Sequence, residues 1–304
     1  GLVPRVDRLR RKQRPHQYLR EKPLSSYAEA IRGVLTALRL SNPQNPPRVL
    51  LVTSSLPEEG KTTFAVSLAS LVARSQKRVL LIDLDPQGNA TMGSGVNKNA
   101  LPYSVYDVVL GDTPLKVAIQ KAPQGKYDIV GANRDLSGAE ISLFDLERRE
   151  LRLKEAIEQV AKSYDFILID CAPSLSILTL NALVAADGVI IPMQCEYYAL
   201  EGLADLTNTI ERMTAKLNPG LQIRGILRTM FDPRNTLAND VSNELIQHFG
   251  DKVFDTVIPR NVRLAEAPAH GMPVMYYDKG SRGAYAYLSL AAELIKKDKK
   301  RKTA

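Results

Sequence analysis

Apolar residues fall in short unbroken runs along this chain, at 49–52, 79–82, 166–169 and 189–191. None alternates with polar residues, so each reads as a strand buried on both faces. Stretches 78–85, 127–130, 165–170, 188–192 and 223–230 are the expected strands beyond the first. Between them the spacing lengthens to three and four residues, which predicts helices over 64–73, 178–186, 203–217, 241–249 and 284–297. Residues 137–161 are expected to be largely helical, with charged 147–150 on a solvated face, and 104–120 carry short helical patterns. An earlier helix starts after Ser26, where Glu29 three residues on completes a capping box. Tyr27, Ile31, Val34, Leu35 and Leu38 give it an apolar face, and the proline-rich stretch 41–47 ends it. Strand and helix in alternation predict an α/β fold: a mostly parallel sheet flanked by helices on both faces. Ligands of such sheets bind beyond the carboxyl ends of the strands. The apolar runs are too short to span a bilayer.

Charge divides the chain further. Residues 1–22 hold eight Lys and Arg against Asp7 and Glu21, a balance of +6, and residues 296–304 a balance of +5. Against the whole-chain value of +8, the body between them stands at about −3. We therefore expect a basic linker at 1–24, one domain at 25–295 and a basic tail at 296–304. Such ends bind nucleic acid or an anionic membrane surface, or stay solvated. A membrane partner is expected only for a chain whose N-terminal segment has been cut from a membrane protein. Two cysteines, Cys171 and Cys195, make no disulfide framework and suit a reducing cytoplasm, the expected location. Three scattered histidines, at 16, 248 and 270, offer no zinc spacing.

Chemistry concentrates after the first strand. Val52-Thr53-Ser54-Ser55-Leu56-Pro57-Glu58-Glu59-Gly60-Lys61-Thr62-Thr63 passes from a strand through a loop into a helix. That order is the context of a phosphate-binding loop, in which free N–H groups and the positive helix end attract phosphate. The chain has Ser55 where the usual pattern has its first glycine. Glu59, Gly60, Lys61, Thr62 and Thr63 are the candidate phosphate contacts; Lys61 would reach the outer phosphates of a nucleotide and Thr62 a Mg²⁺ ion. A chance Gly-Lys-Thr in a surface turn is the plain alternative. Against it stand two further strands with acidic ends, at Asp83 and Asp85 and at Asp170. Asp170 is a candidate Mg²⁺-supporting carboxylate; Asp83 and Asp85 lie two apart on one strand face, so that one could support Mg²⁺ and the other orient the attacking water. The fold expected is thus that of a P-loop protein binding a nucleoside triphosphate with Mg²⁺.

From about residue 80 onward the chain resembles the ParA/Soj-type chromosome-partition ATPases, relatives of MinD. The resemblance rests on Ile82-Asp83-Leu84-Asp85-Pro86-Gln87-Gly88-Asn89, Asp165-Phe166-Ile167-Leu168-Ile169-Asp170-Cys171-Ala172-Pro173-Ser174, and Ile258-Pro259-Arg260-Asn261-Val262-Arg263-Leu264-Ala265-Glu266-Ala267-Pro268. It implies a P-loop NTPase of deviant Walker A type with ATP and Mg²⁺ as cofactors, catalysis by Lys61 and by Asp85 as the residue that positions the water, Mg²⁺ support by Asp83 and Asp170, and an adenine-side wall of Thr229, Met230, Pro259 and Asn261. It implies nonspecific DNA binding through Arg234 and Arg263, whose plain alternative is a surface arginine paired with a carboxylate. It implies an ATP-dependent homodimer and a ParB-like activating partner, acting in DNA partition or cargo positioning.

The phosphate loop itself is similar to that of bacterial tyrosine kinases and polysaccharide chain-length regulators, as is Tyr27-Ala28-Glu29-Ala30-Ile31-Arg32. The chain therefore reads as a hybrid, with a seam near 80–87. Partition ATPases carry an early loop lysine that crosses the dimer, and here Leu56 takes its place. The expected consequence is weakened dimer-coupled hydrolysis. Two alternatives follow: a tyrosine-kinase-like domain of a polysaccharide-export regulator, or an ATP-binding scaffold with little turnover. Against the kinase, Tyr276, Tyr277, Tyr285 and Tyr287 all precede the last helix, and 296–304 has no tyrosine.

Overall fold

The structure, a computed structural model, describes residues 48–302 other than Leu175. The expected linker and the helix after Ser26 lie outside these residues. The strands are β1 (Arg48–Val52), β2 (Val79–Leu84), β3 (Ile119–Lys121), β4 (Asp128–Val130), β5 (Phe166–Cys171), β6 (Gly188–Gln194) and β7 (Gln222–Thr229). They form one sheet in the order β3-β4-β2-β5-β1-β6-β7. Every pairing is parallel except β3 with β4.

Side chains along the central strands alternate between two cores. Leu51, Leu80, Ile82, Ile167 and Ile169 enter one, and Val52, Leu81, Leu168 and Ile190 the other. All six residues of β2 are buried, which accounts for its unalternating sequence. Helices α1 (Lys61–Arg74) and α7 (Arg282–Lys302) cover one face. Helices α3 (Ile177–Ala185) and α4 (Ala199–Lys216) cover the other. Short α2 (Asn89–Gly93) follows β2, while α5 (Thr236–Phe249) and α6 (Val262–Ala269) follow β7. No helix among the described residues is long and apolar enough to cross a membrane.

Three local expectations need correction. Residues 137–161 are α-helical only in short pieces, Ala139–Ser142 and Arg152–Glu158, with a turn between them. Arg148 breaks the pattern at φ 53°, a left-handed value that no helix interior accepts. Residues 119–121, at the end of the stretch of short helical patterns, form the antiparallel edge strand β3. Three residues are too few to show a period of two. The closing helix also runs to Lys302, beyond the expected end at 297 and into the basic stretch.

Candidate active site

Register brings the acidic strand ends together. Asp83 on β2 and Asp170 on β5 are direct partners across the parallel pair, and Val52 at the end of β1 is level with Asp170 on its other side. The phosphate loop leaves β1 at that point. Gly60, at φ 81°, turns the chain into α1, a conformation that a side chain would strain. Lys61 and Thr62 thereby stand in the first turn of α1, above the carboxylates.

The hydrogen bonds divide three acids into different situations. Lys61 Nζ donates to Asp85 Oδ2 at 2.8 Å and lies 3.9 Å from Asp170 Oδ1. Thr62 Oγ1 donates to Asp170 Oδ2 at 2.8 Å. Asp83 Oδ2 accepts from both Thr91 N and Thr91 Oγ1, and its Oδ1 accepts from Asp85 N at 3.3 Å. Both oxygens of Asp83 are therefore engaged inside the protein. Asp170 Oδ1, in contrast, is buried with no hydrogen-bond partner. Burial, reinforced by the Asp170 charge, pushes the Asp83 carboxyl up to about 7. Burial likewise raises Asp170, against the pull of Lys61. Burial alone would lower Lys61, but the charges of Asp170 and Asp85 more than offset it and hold the ammonium above its ordinary value.

Such a cluster suits a divalent cation. Two buried carboxylates, Asp85 and Asp170, face one ammonium, and the orphaned Asp170 oxygen lies beside a threonine hydroxyl. Asp170 and Thr62 fit a Mg²⁺ ion that takes its other ligands from water and phosphate. Asp83, of the expected metal group, accepts on both oxygens from the protein, from Thr91 and from Asp85 N.

The Glu59 side chain turns away from the loop surface: its carboxylate points into the fold and Glu59 is only 2% exposed. It accepts from Leu56 N at 2.9 Å, Ser55 Oγ at 3.2 Å and Gln194 N at 3.1 Å. Burial raises its pKa above the usual carboxylate range, against those donors. Its carbonyl accepts from Thr229 Oγ1 at 2.7 Å. Thr229 and Met230 thus sit directly on the loop, and a Cβ at Gly60 would lie 3.9 Å from both side chains. Pro259 pairs with Phe231 next to them. Asn261 caps α6 instead, its Oδ1 accepting from Arg263 N. Thr63 lines a small cleft with Val66, Gly93 and Pro268. Leu56 packs against Gly202 of α4.

The two candidate DNA arginines take carboxylate partners. Arg234 pairs with Asp232 at 2.7 Å, and its hydrogen bonds hold the Asp232 carboxyl down at about 2. Arg263 pairs with Glu266 at 2.7 Å and Asp278 at 3.4 Å. Sequence reasoning missed Thr91, whose hydroxyl also accepts from Ala132 N and so fixes Asp83 to the strand end next door. It also missed Lys98, whose Nζ donates to the Gln87 carbonyl beyond Asp85. Both act through folding back of the chain, from eight and eleven residues beyond their partners.

A parallel sheet, a Gly-Lys-Thr turn into α1 and acids at neighbouring strand ends define the P-loop NTPase class. Residues 58–223 match the family described as AAA domain. The chain is 47% identical over 259 residues to the chromosome partitioning protein ParA of Caulobacter vibrioides, covering 84% of this chain and 97% of that one. It is 49% identical to the sporulation initiation inhibitor protein Soj of Bacillus subtilis, covering 81% and 98%. Among solved structures, cobyrinic acid a,c-diamide synthase from Mycobacterium smegmatis, with bound ATP analog and magnesium, superposes with a TM-score of 0.73. That enzyme is 36% identical, covering 83% of this chain and 96% of its own. The chain belongs to the ParA/Soj family of partition ATPases. Its likeness is not confined to residues after the expected seam, because 259 aligned residues exceed the 225 from residue 80 to residue 304.

Proposed function

We propose that the protein binds and hydrolyses ATP with Mg²⁺ and uses the nucleotide state to gate nonspecific DNA binding, in the cytoplasm, for DNA partition or cargo positioning. The observation that carries this reading is the pairing of Thr62 with Asp170, whose second oxygen is buried and unpartnered, beside Lys61 at the start of α1. Backbone N–H groups from Glu59 to Thr63 bind the phosphates, and Lys61 leaves Asp85 to meet their outer oxygens. Release from Lys61 frees the Asp85 carboxylate to orient a water molecule. Thr62 and Asp170 would hold Mg²⁺, which neutralises phosphate charge when bound. Asp83, held by Thr91, supports Asp85 through the Asp85 amide. Thr229, Met230 and Pro259 form the base-side wall, with Asn261 at its far end. Arg234 and Arg263 contact DNA phosphates of an ATP-bound homodimer, and a ParB-like partner stimulates turnover.

The test combines nucleotide titration with DNA retardation. Lys61→Ala is expected to weaken ATP binding at least tenfold and to abolish ATP-dependent retardation. Arg263→Ala is expected to keep ATP affinity, lose retardation and lower the salt dependence of DNA binding by about one phosphate contact. Retardation unchanged in both variants overturns the DNA reading, and unchanged ATP affinity in Lys61→Ala overturns the site.

A further inference from the structure

The Glu59 carboxylate takes no part in the scheme above, yet it is the most connected side chain of the loop. It gathers donors from Ser55, Leu56 and Gln194, the last of which is 135 residues away at the end of β6. The Glu59 carbonyl meanwhile receives the Thr229 hydroxyl from the end of β7. The loop needs such a hold. Pro57 supplies no N–H, and Glu58 sits at φ 62°, a left-handed value that costs a side chain about 1 kcal/mol. A strained residue persists only where its surroundings over-determine it.

We propose that Glu59 is a positioning residue that sets the phosphate loop in its binding shape before nucleotide arrives, and locks it to the base-side wall at the ends of β6 and β7. This rests on the nucleotide-binding reading above. It makes an electrostatic prediction of unusual sign. A carboxylate beneath a phosphate loop repels phosphate, so on charge alone its neutralisation tightens binding. As a staple, its neutralisation weakens binding, because a glutamine amide cannot accept from all three donors and leaves a buried N–H unpaired.

Titration of Glu59→Gln with fluorescent ATP and ADP distinguishes the two. The expected result is about tenfold weaker binding of both nucleotides, with Ser55→Ala intermediate and the thermal midpoint of the nucleotide-free protein lowered by only a few degrees. Equal or tighter binding by Glu59→Gln overturns the proposal. Hydrogen exchange on the wild-type chain without nucleotide gives an answer independent of any variant. The Leu56 and Gln194 amides are expected to be protected, and exchange at the rate of an open loop overturns the staple. A wild type that binds no nucleotide while those amides are protected fails the parent reading and leaves the staple standing.

Discussion

Lys61 is the counter-ion of a buried acidic cluster as well as a candidate phosphate ligand. Its side chain is 9% exposed and that of Asp170 is fully buried. Removing the ammonium strands two carboxylates in a medium that solvates them poorly. Lys61→Ala is therefore expected to lose about 3 kcal/mol of stability in urea denaturation without nucleotide, and Asp85→Asn in the same chain to restore part of it. A single variant as stable as wild type would show that the pair contributes nothing. At this scale the sequence was partly legible. Gly60, Lys61 and Thr62 form a local pattern, and acids at the ends of buried strands stand out against apolar runs. Thr91 and the true orientation of Glu59 were not legible, because their partners lie far along the chain or depend on which way a loop turns.

Helices and strands are tied by contacts that tolerate little change. Gly283, at the start of α7, faces Leu264 of α6 so closely that a Cβ would stand 2.5 Å from Leu264 Cγ. Gly283→Ala is expected to cost about 1–3 kcal/mol by overpacking, read as a lower urea midpoint, and to loosen the helix that carries Arg263. Leu264→Ala in the same chain makes room and should recover part of the loss. At the opposite end of the sheet, Asp165 before β5 accepts from the amide and guanidinium of Arg78 before β2. Burial raises the Asp165 carboxyl, but these donors more than offset it and its pKa falls below the ordinary value. A depressed carboxylate contributes stability above its unfolded pKa, near 3.9, and loses it as pH falls through the folded value. Asp165→Asn should thus cost about 1 kcal/mol at pH 7, with the gap to wild type closing below about pH 3.9. A gap that does not change with pH would assign the loss to shape instead of charge. The buried strands were legible because a continuous apolar run has few alternatives in a parallel sheet. Helix α6 was harder, since Pro268 stands near its C-terminal end, where proline removes an i→i−4 hydrogen bond and argues against a helix.

For the whole molecule, the fold class followed from the order of its elements, while family membership needed the long aligned stretch. By the resemblance read from the sequence, Leu56 stands where partition ATPases carry an early loop lysine. Its side chain packs on Gly202, leaving no charge at that position to reach a second subunit. Leu56→Lys is expected to strengthen ATP-dependent dimerisation in sedimentation with Mg²⁺ and to raise turnover tenfold or more. Unchanged mass and rate would show that this residue does not limit assembly.

The carboxylate partners of Arg234 and Arg263 carry a consequence for time as well as affinity. On the proposed DNA reading, each arginine must leave an acid to meet a phosphate, and the abandoned Asp232 or Glu266 remains within reach. Every contact then has a rival waiting beside it. Such a surface lets go readily: its DNA complexes should be brief, and their lifetime should lengthen when Asp232 or Glu266 is made neutral.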